Sequence, residues 1–210
     1  MTFLLLIFLI AVSATIHIRA EYQNKRLLIY IFKPLTTSLI IVIAFLQPIE
    51  VSAYYRIMII FGLFFSLGGD IFLMLPKDRF IPGLLSFLIT HIFYILAFTS
   101  ASSFPPGFLL LIPGLIAIGI ILKILLPYTG DKTIPVIIYA AILTLLYWQS
   151  AGRLNESFTH SSLTAFIGSI LFIFSDSTLV IDRFVKKFRS ARLLVLTTYF
   201  TSQLLIAYSI

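Results

Sequence analysis

The sequence contains no cysteine, so it has no disulfide, no thiolate metal site and no thiol nucleophile. Charge is scarce too. Charged residues make up 11% of the 210 and hydrophobic ones 60%, too little polar surface to cover a water-soluble globule of this length. Acidic groups are scarcest, 8 against 15 Lys and Arg. In a soluble chain that imbalance suggests a nucleic-acid partner, but no nucleic-acid motif accompanies it. No such partner is expected, and the basic residues are read as loop charge that fixes orientation in a lipid bilayer.

What the sequence does have is apolar runs. A spanning helix needs about 20 mostly apolar residues. The chain divides into eight such runs: Thr2 to Ile18, Leu27 to Gln47, Ile57 to Leu75, Ile81 to Thr99, Gly107 to Leu126, Ile134 to Ala151, Ser161 to Ile181 and Leu193 to Ile210. The expected fold class is an all-α membrane protein of eight transmembrane helices, with residues 1–210 forming a single transmembrane domain. Pro48, Pro76, Pro105, Pro106 and Pro127 fall at or beside the junctions, where a missing N–H does least harm.

The first run has the small residues Ala11, Ser13 and Ala14 of a signal peptide, but no basic residue precedes it and Arg19, Lys25 and Arg26 follow. A retained helix with an outer N-terminus is expected. In alternate links one side holds Arg19, Lys25, Arg26, Lys77, Arg79, Lys132, Arg183, Lys186, Lys187, Arg189 and Arg192, and the other Arg56 and Arg153. The first side should be cytoplasmic, with both termini outside. Trp148, Tyr54, Tyr55 and Tyr128 are expected in the interfacial belts.

The halves of the chain resemble each other. Asp70 precedes Asp78-Arg79-Phe80 as Asp176 precedes Asp182-Arg183-Phe184, and Lys25 and Lys132 stand before the second and sixth runs. The offsets are 106 for the aspartates (176 − 70), 104 for the Asp-Arg-Phe ends (182 − 78) and 107 for the lysines (132 − 25). Four spans is an even number, so a 4+4 repeat would be parallel, about an axis along the membrane normal. Chance matching in so apolar a chain is the rival explanation.

A charged group inside the hydrocarbon costs about 2.5–3.5 kcal/mol and needs a reason to be there. Lys33, Asp70 and Asp176 each lie about 8–10 Å from the cytoplasmic end of their helices. Tyr139 and Tyr199 come in at similar depth, and His91, Tyr94 and Gln203 about 15–20 Å in. Residues three or four apart share a helix face, which pairs His91 with Tyr94, Tyr199 with Gln203, and Ser66 with Asp70. Ser162, Ser169 and Asp176 recur every seven, with Ala165 between, as an inward small-residue face. Lys33 is open to two readings: a structural counter-ion for an aspartate, or a phosphate ligand. His91 is read equally well as a core histidine. The histidines do not suggest a metal centre, because His17 and His160 fall near opposite membrane faces with His91 between them. Nor does any glycine-flanked serine suggest a serine hydrolase.

At these residues the chain resembles the YhhN family, whose animal members are lysoplasmalogenases. The matching pieces are Lys33-Pro34, Gly69-Asp70 within Ser66 to Leu75, Gly83 to Phe87 followed by His91 and Tyr94, Tyr139, Ser175-Asp176-Ser177, and Tyr199 with Gln203. The resemblance implies an eight-helix intramembrane hydrolase that takes a lysophospholipid from the cytoplasmic leaflet. It would cleave the vinyl ether of a lysoplasmalogen to a fatty aldehyde and glycerophosphoethanolamine or glycerophosphocholine, without a cofactor. The expected location is the inner membrane of a bacterial cell.

Vinyl ether hydrolysis needs an acid to protonate the alkene and a base to activate water. Asp70 and Asp176 are the candidate pair, with either one as the acid. Lys33, His91, Tyr94, Tyr139, Tyr199 and Gln203 would bind or position substrate. Paired acids, a histidine and a repeat also suit a proton-coupled transporter, although transporter sites usually lie nearer the midplane than these carboxyls do.

Overall fold

In the computed structural model, which describes residues 2–76 and 78–210, the described residues form eight α-helices and no strand. They are α1 (Thr2–Tyr22), α2 (Arg26–Leu46), α3 (Ala53–Met74), α4 (Phe80–Ser100), α5 (Leu111–Thr129), α6 (Thr133–Glu156), α7 (His160–Phe184) and α8 (Ala191–Tyr208). Each apolar run overlaps one helix. Lys77, counted above among the basic link residues, lies outside the described residues.

Hydroxyls define two helix starts. Ser52 accepts the Tyr55 N–H at the head of α3, and Thr159 and Ser162 close a reciprocal capping box at the head of α7. Pro127 sits inside the last turns of α5, beside the junction with α6. The helix ends two residues later, so the proline removes a backbone bond only where few remain to be made.

Among the described residues, six stretches are long and apolar enough to cross a membrane, one of which, Phe108–Glu156, contains both α5 and α6. The burial pattern is the inverse of a soluble protein's. Leu4, Leu27 and Leu109 are about three-quarters exposed (72–77%), whereas Lys33, Thr37, Ser66, Asp70, His91, Asp176 and Gln203 are buried. Aliphatic surface outside and polar groups inside is the arrangement of a multi-pass membrane protein.

The closest helix pairs are α3 with α4 and α7 with α8. Glycine permits both approaches: a Cβ on Gly62 would run into the Tyr94 ring, and one on Gly168 would lie 2.7 Å from an Ile206 methylene. The remaining contacts join α1 to α2, α2 to α3, α5 to α6 and α6 to α7, with α2, α1 and α3 also on α8, α4 on α6 and α5 on α7.

Tyr55 departs from the interfacial position expected of it. It is fully buried, with its hydroxyl accepting from Arg153 at 2.6 Å and its ring under the same guanidinium. Arg153 itself is a buried α6 residue rather than a free link charge, and it also donates to Ser161 at 2.7 Å. A guanidinium inside the protein needs polar partners, and that need draws Tyr55 inward.

Candidate active site

The two intramembrane aspartates reach one cavity of about 840 Å³ from different helices, Asp70 from α3 and Asp176 from α7. Lys33, Phe87, Ser175 and Tyr199 line its inner part. Its mouth is ringed by Glu21, Asp78, Arg79, Arg183, Lys187, Arg189 and Arg192, from the ends of α1 and α7, the start of α8, and the α3–α4 and α7–α8 connections. The cavity therefore sets a few polar groups among apolar side chains such as Leu73, Leu179 and Leu196 within, and is predominantly basic at the rim.

The aspartates have different partners. Lys33 Nζ lies 3.5 Å from Asp70 Oδ1, and the hydroxyls of Thr37 and Tyr199 donate to Oδ2 at 2.6 and 2.7 Å. Lys33 and Thr37 are one turn apart on α2, so one helix face supplies both. Behind Tyr199 runs a relay of donors: Tyr94 donates to Gln203 Oε1 at 2.5 Å, Gln203 Nε2 donates to Ser66, and Ser66 pairs with the Tyr199 hydroxyl at 2.9 Å. A cation and two hydroxyls directed at one carboxyl form the donor set of an ionised carboxylate.

Asp176 has no such set. Its Oδ2 accepts the Tyr139 hydroxyl at 2.5 Å, and His91 Nε2 stands 3.6 Å away, beyond a hydrogen bond. The His91 ring is wedged against Phe172 and Tyr139, at centroid distances of 4.4 and 5.4 Å, with neither ring nitrogen hydrogen-bonded. Phe87, Phe172 and Tyr199 make mutual edge-to-face contacts at 5.7–6.1 Å beside the two acids.

Of the residues singled out in the sequence, Lys33, Asp70, Asp176 and Tyr199 line the cavity. Tyr139 and His91 stand behind Asp176, while Tyr94 and Gln203 are fully buried behind Tyr199. Three participants were not singled out. Thr37 was legible only as the residue one turn beyond Lys33, and Phe172 looks like any core aromatic. Glu21, at the end of α1, reads as an interface charge, yet it lines the mouth and lies 3.8 Å from Arg192. Among the described residues, no group of three His, Cys, Asp or Glu side chains converges to hold a metal ion.

The residues gathered here are those on which the resemblance to a known family rests, and the profile of that family, YhhN, matches residues 28–210. The chain belongs to the YhhN family. Among its YhhN relatives, lysoplasmalogenase TMEM86A of Bos taurus is 35% identical over 156 residues, 70% of this chain and 62% of that protein. Lysoplasmalogenase TMEM86B of Homo sapiens is 33% identical over 166 residues, 79% of this chain and 68% of that protein. The chain thus spans less than two thirds of the length of the bovine relative. The membrane protein YhhN of Escherichia coli O157:H7 is 25% identical over 205 residues, 96% of each chain. No solved structure matches this chain.

Proposed function

We propose that this protein is an intramembrane hydrolase that cleaves the vinyl ether bond of lysoplasmalogens, releasing a fatty aldehyde and a glycerophosphoethanolamine or glycerophosphocholine. The observation that carries the reading is the pair of buried aspartates on one cavity, one furnished with the partners of a carboxylate and the other without them. The named activity of the TMEM86 relatives supports the choice of substrate.

In this mechanism Asp176 is the acid and Asp70 the base. Asp176 gives its proton to the alkene carbon farther from the ether oxygen, leaving an oxocarbenium ion. The Asp70 carboxylate and the faces of Phe87 and Tyr199 stabilise that cation. Water adds to the carbon bonded to oxygen as Asp70 takes its proton. The hemiacetal then collapses: its hydroxyl proton returns to Asp176, the C–O bond to glycerol breaks, and the proton on Asp70 goes to the departing oxygen. One water is consumed and both carboxyls return to their starting states.

Lys33 acts in this scheme as the counter-ion of Asp70 rather than as the phosphate ligand. The cations at the mouth, Arg79, Lys187 and Arg189, are better placed for the phosphodiester, since no carboxylate pairs with them among the described residues. Tyr139 and His91 position Asp176, and Tyr94 and Gln203 position Tyr199.

The basic rim is the cytoplasmic side by the distribution of Lys and Arg, which puts both termini outside and gives the substrate access from the cytoplasmic leaflet. The eight helices all span and form one domain of two parallel halves. Equivalent packing in the halves supports this: α3 on α4 as α7 on α8, α2 on α3 as α6 on α7, and α2 on α8 as α6 on α4. Lys33 and Tyr139, one partner of each aspartate, share the aspartates' offset of 106 (139 − 33 and 176 − 70).

The repeat also favours a second reading, a proton-coupled transporter. The discriminating experiment is aldehyde release by purified protein in detergent, where no gradient exists. A hydrolase turns over there and loses about a hundredfold or more in Asp176→Asn and in Asp70→Asn. Wild-type-level release by both folded variants would refute the paired-acid mechanism.

A further inference from the structure

A second, narrower space meets the first at Asp176. It is a seam bounded by α4, α5, α6 and α7, walled by aliphatic groups including Leu84, Leu122, Val136, Ala140, Leu143 and Val180. The polar residues that reach it are Tyr139, Asp176 and Ser177. Asp176 borders both spaces, whereas Asp70 borders the larger cavity alone. At rest the seam has room for about 20 Å³, roughly one water molecule, and its lining is too apolar to hold one well.

Its outer wall is the helix with the fewest ties. On α5, Leu125 and Thr129 are the buried residues. Among residues 111–129, Thr129 is the one whose side chain hydrogen-bonds another helix, to the adjacent Thr133. The rest of α5 is held by apolar contact, including the Tyr147 ring against Gly114. In a bilayer such contact is not reinforced by water exclusion, because lipid tails are as apolar as leucine. Exchanging α5–α7 contact for contact with an alkyl chain is therefore nearly neutral in free energy.

We infer that this seam is the seat of the substrate's alkenyl chain, admitted from the bilayer by displacement of α5. The inference rests on the vinyl ether reading above, and it accounts for the division of labour between the acids. The carbon that receives the proton is on the chain side of the double bond, and the carbon that receives water is on the glycerol side. A chain in the seam and a headgroup at the basic mouth put the first carbon at Asp176 and the second toward Asp70 and Lys33. The reverse placement would send a phosphodiester between aliphatic side chains and an alkyl chain out among arginines.

The test uses the full-length protein in lipid nanodiscs with lysoplasmalogens of short and long alkenyl chain. Ala140→Phe and the milder Ala140→Leu fill the seam and should lower the ratio of long-chain to short-chain kcat/KM by about tenfold or more, the scale of a methylene mismatch in an apolar pocket. Ile116→Phe, on the 59%-exposed surface of α5, should leave that ratio at the wild-type value. A lysophospholipid carrying a mid-chain diazirine should label residues 118–125 of α5 or 136–143 of α6, whether or not a variant folds. An active wild type whose seam variants keep the normal ratio, with label found on α1 or α2, overturns the seam and leaves the hydrolase standing. A wild type that releases no aldehyde overturns the hydrolase, and label in the seam would then still establish it as the chain's seat.

Discussion

Asp70→Asn and Asp176→Asn should both lower activity about a hundredfold or more, yet they should differ in stability. Asparagine at 70 keeps the size of the side chain, but Lys33 loses the charge 3.5 Å away, and the new NH2 must share space with three donors. Removing one member of a buried ion pair, or leaving one cation within the membrane, costs about 3 kcal/mol. At about 2–4 °C per kcal/mol for a chain of this size, Tm should fall by roughly 10 °C. Asparagine at 176 strands no cation, and its carbonyl still accepts from Tyr139, so the loss should stay within about 1 kcal/mol. The double variant Lys33→Met with Asp70→Asn removes both charges and should recover most of the lost Tm without recovering aldehyde release. Thermal unfolding in detergent followed by tyrosine and tryptophan fluorescence reads the first quantity, and an aldehyde-trapping assay the second. Equal Tm values for the two Asn variants, or no recovery in the double variant, would show that Lys33 and Asp70 are not a charge pair.

Tyr139→Phe removes the hydroxyl that holds Asp176 and should lower kcat about tenfold or more while changing KM little, the split expected of a group that positions the acid. Tyr94→Phe breaks the first link of the relay toward Asp70; it should cost about 1–2 kcal/mol of stability by leaving Gln203 Oε1 without its donor, measured as the shift in Tm. Gly62→Ala should destabilise the α3–α4 pair by about 1–3 kcal/mol, because the Tyr94 ring has no room to retreat; an unchanged Tm would disprove that close packing. At the rim, the backbone N–H of Phe80 and then the adjacent Arg183 hold the Asp78 carboxyl below its usual range. A depressed native value means its contribution is present above the pH at which the unfolded group ionises and fades as pH falls through the native value. Asp78→Asn should therefore lower Tm at neutral pH and converge with wild type in acid, whereas a pH-independent gap would point to another cause.

The helices were legible because the bilayer imposes one requirement, about 20 apolar residues per span, and the sequence meets it repeatedly. The acids were legible for the opposite reason, since a carboxylate in hydrocarbon is expensive enough to stand out. What the sequence hid were contacts that depend on how helices rotate against one another. Periodicity gives Thr37 a place on the Lys33 face but does not say that this face meets Asp70. Tyr55 looked interfacial by its position near a helix end, and the buried Arg153 and Ser209 that meet its hydroxyl explain its inward turn. Nor could the sequence assign acid and base to two aspartates with similar surroundings. The assignment proposed here rests on the partners: a lysine, a threonine and a tyrosine for Asp70, and one tyrosine with an unbonded histidine for Asp176.

Proton delivery to carbon from within the membrane leaves an isotopic mark that mass spectrometry of product formed in D2O can read. Purified protein given a lysoplasmalogen in D2O, with the aldehyde trapped as it forms, should yield fatty aldehyde carrying a single deuterium on the carbon next to the carbonyl. Asp176→Asn should give almost none. Aldehyde without deuterium at that carbon, or no aldehyde from the folded wild-type protein, would rule out protonation of the alkene by this protein.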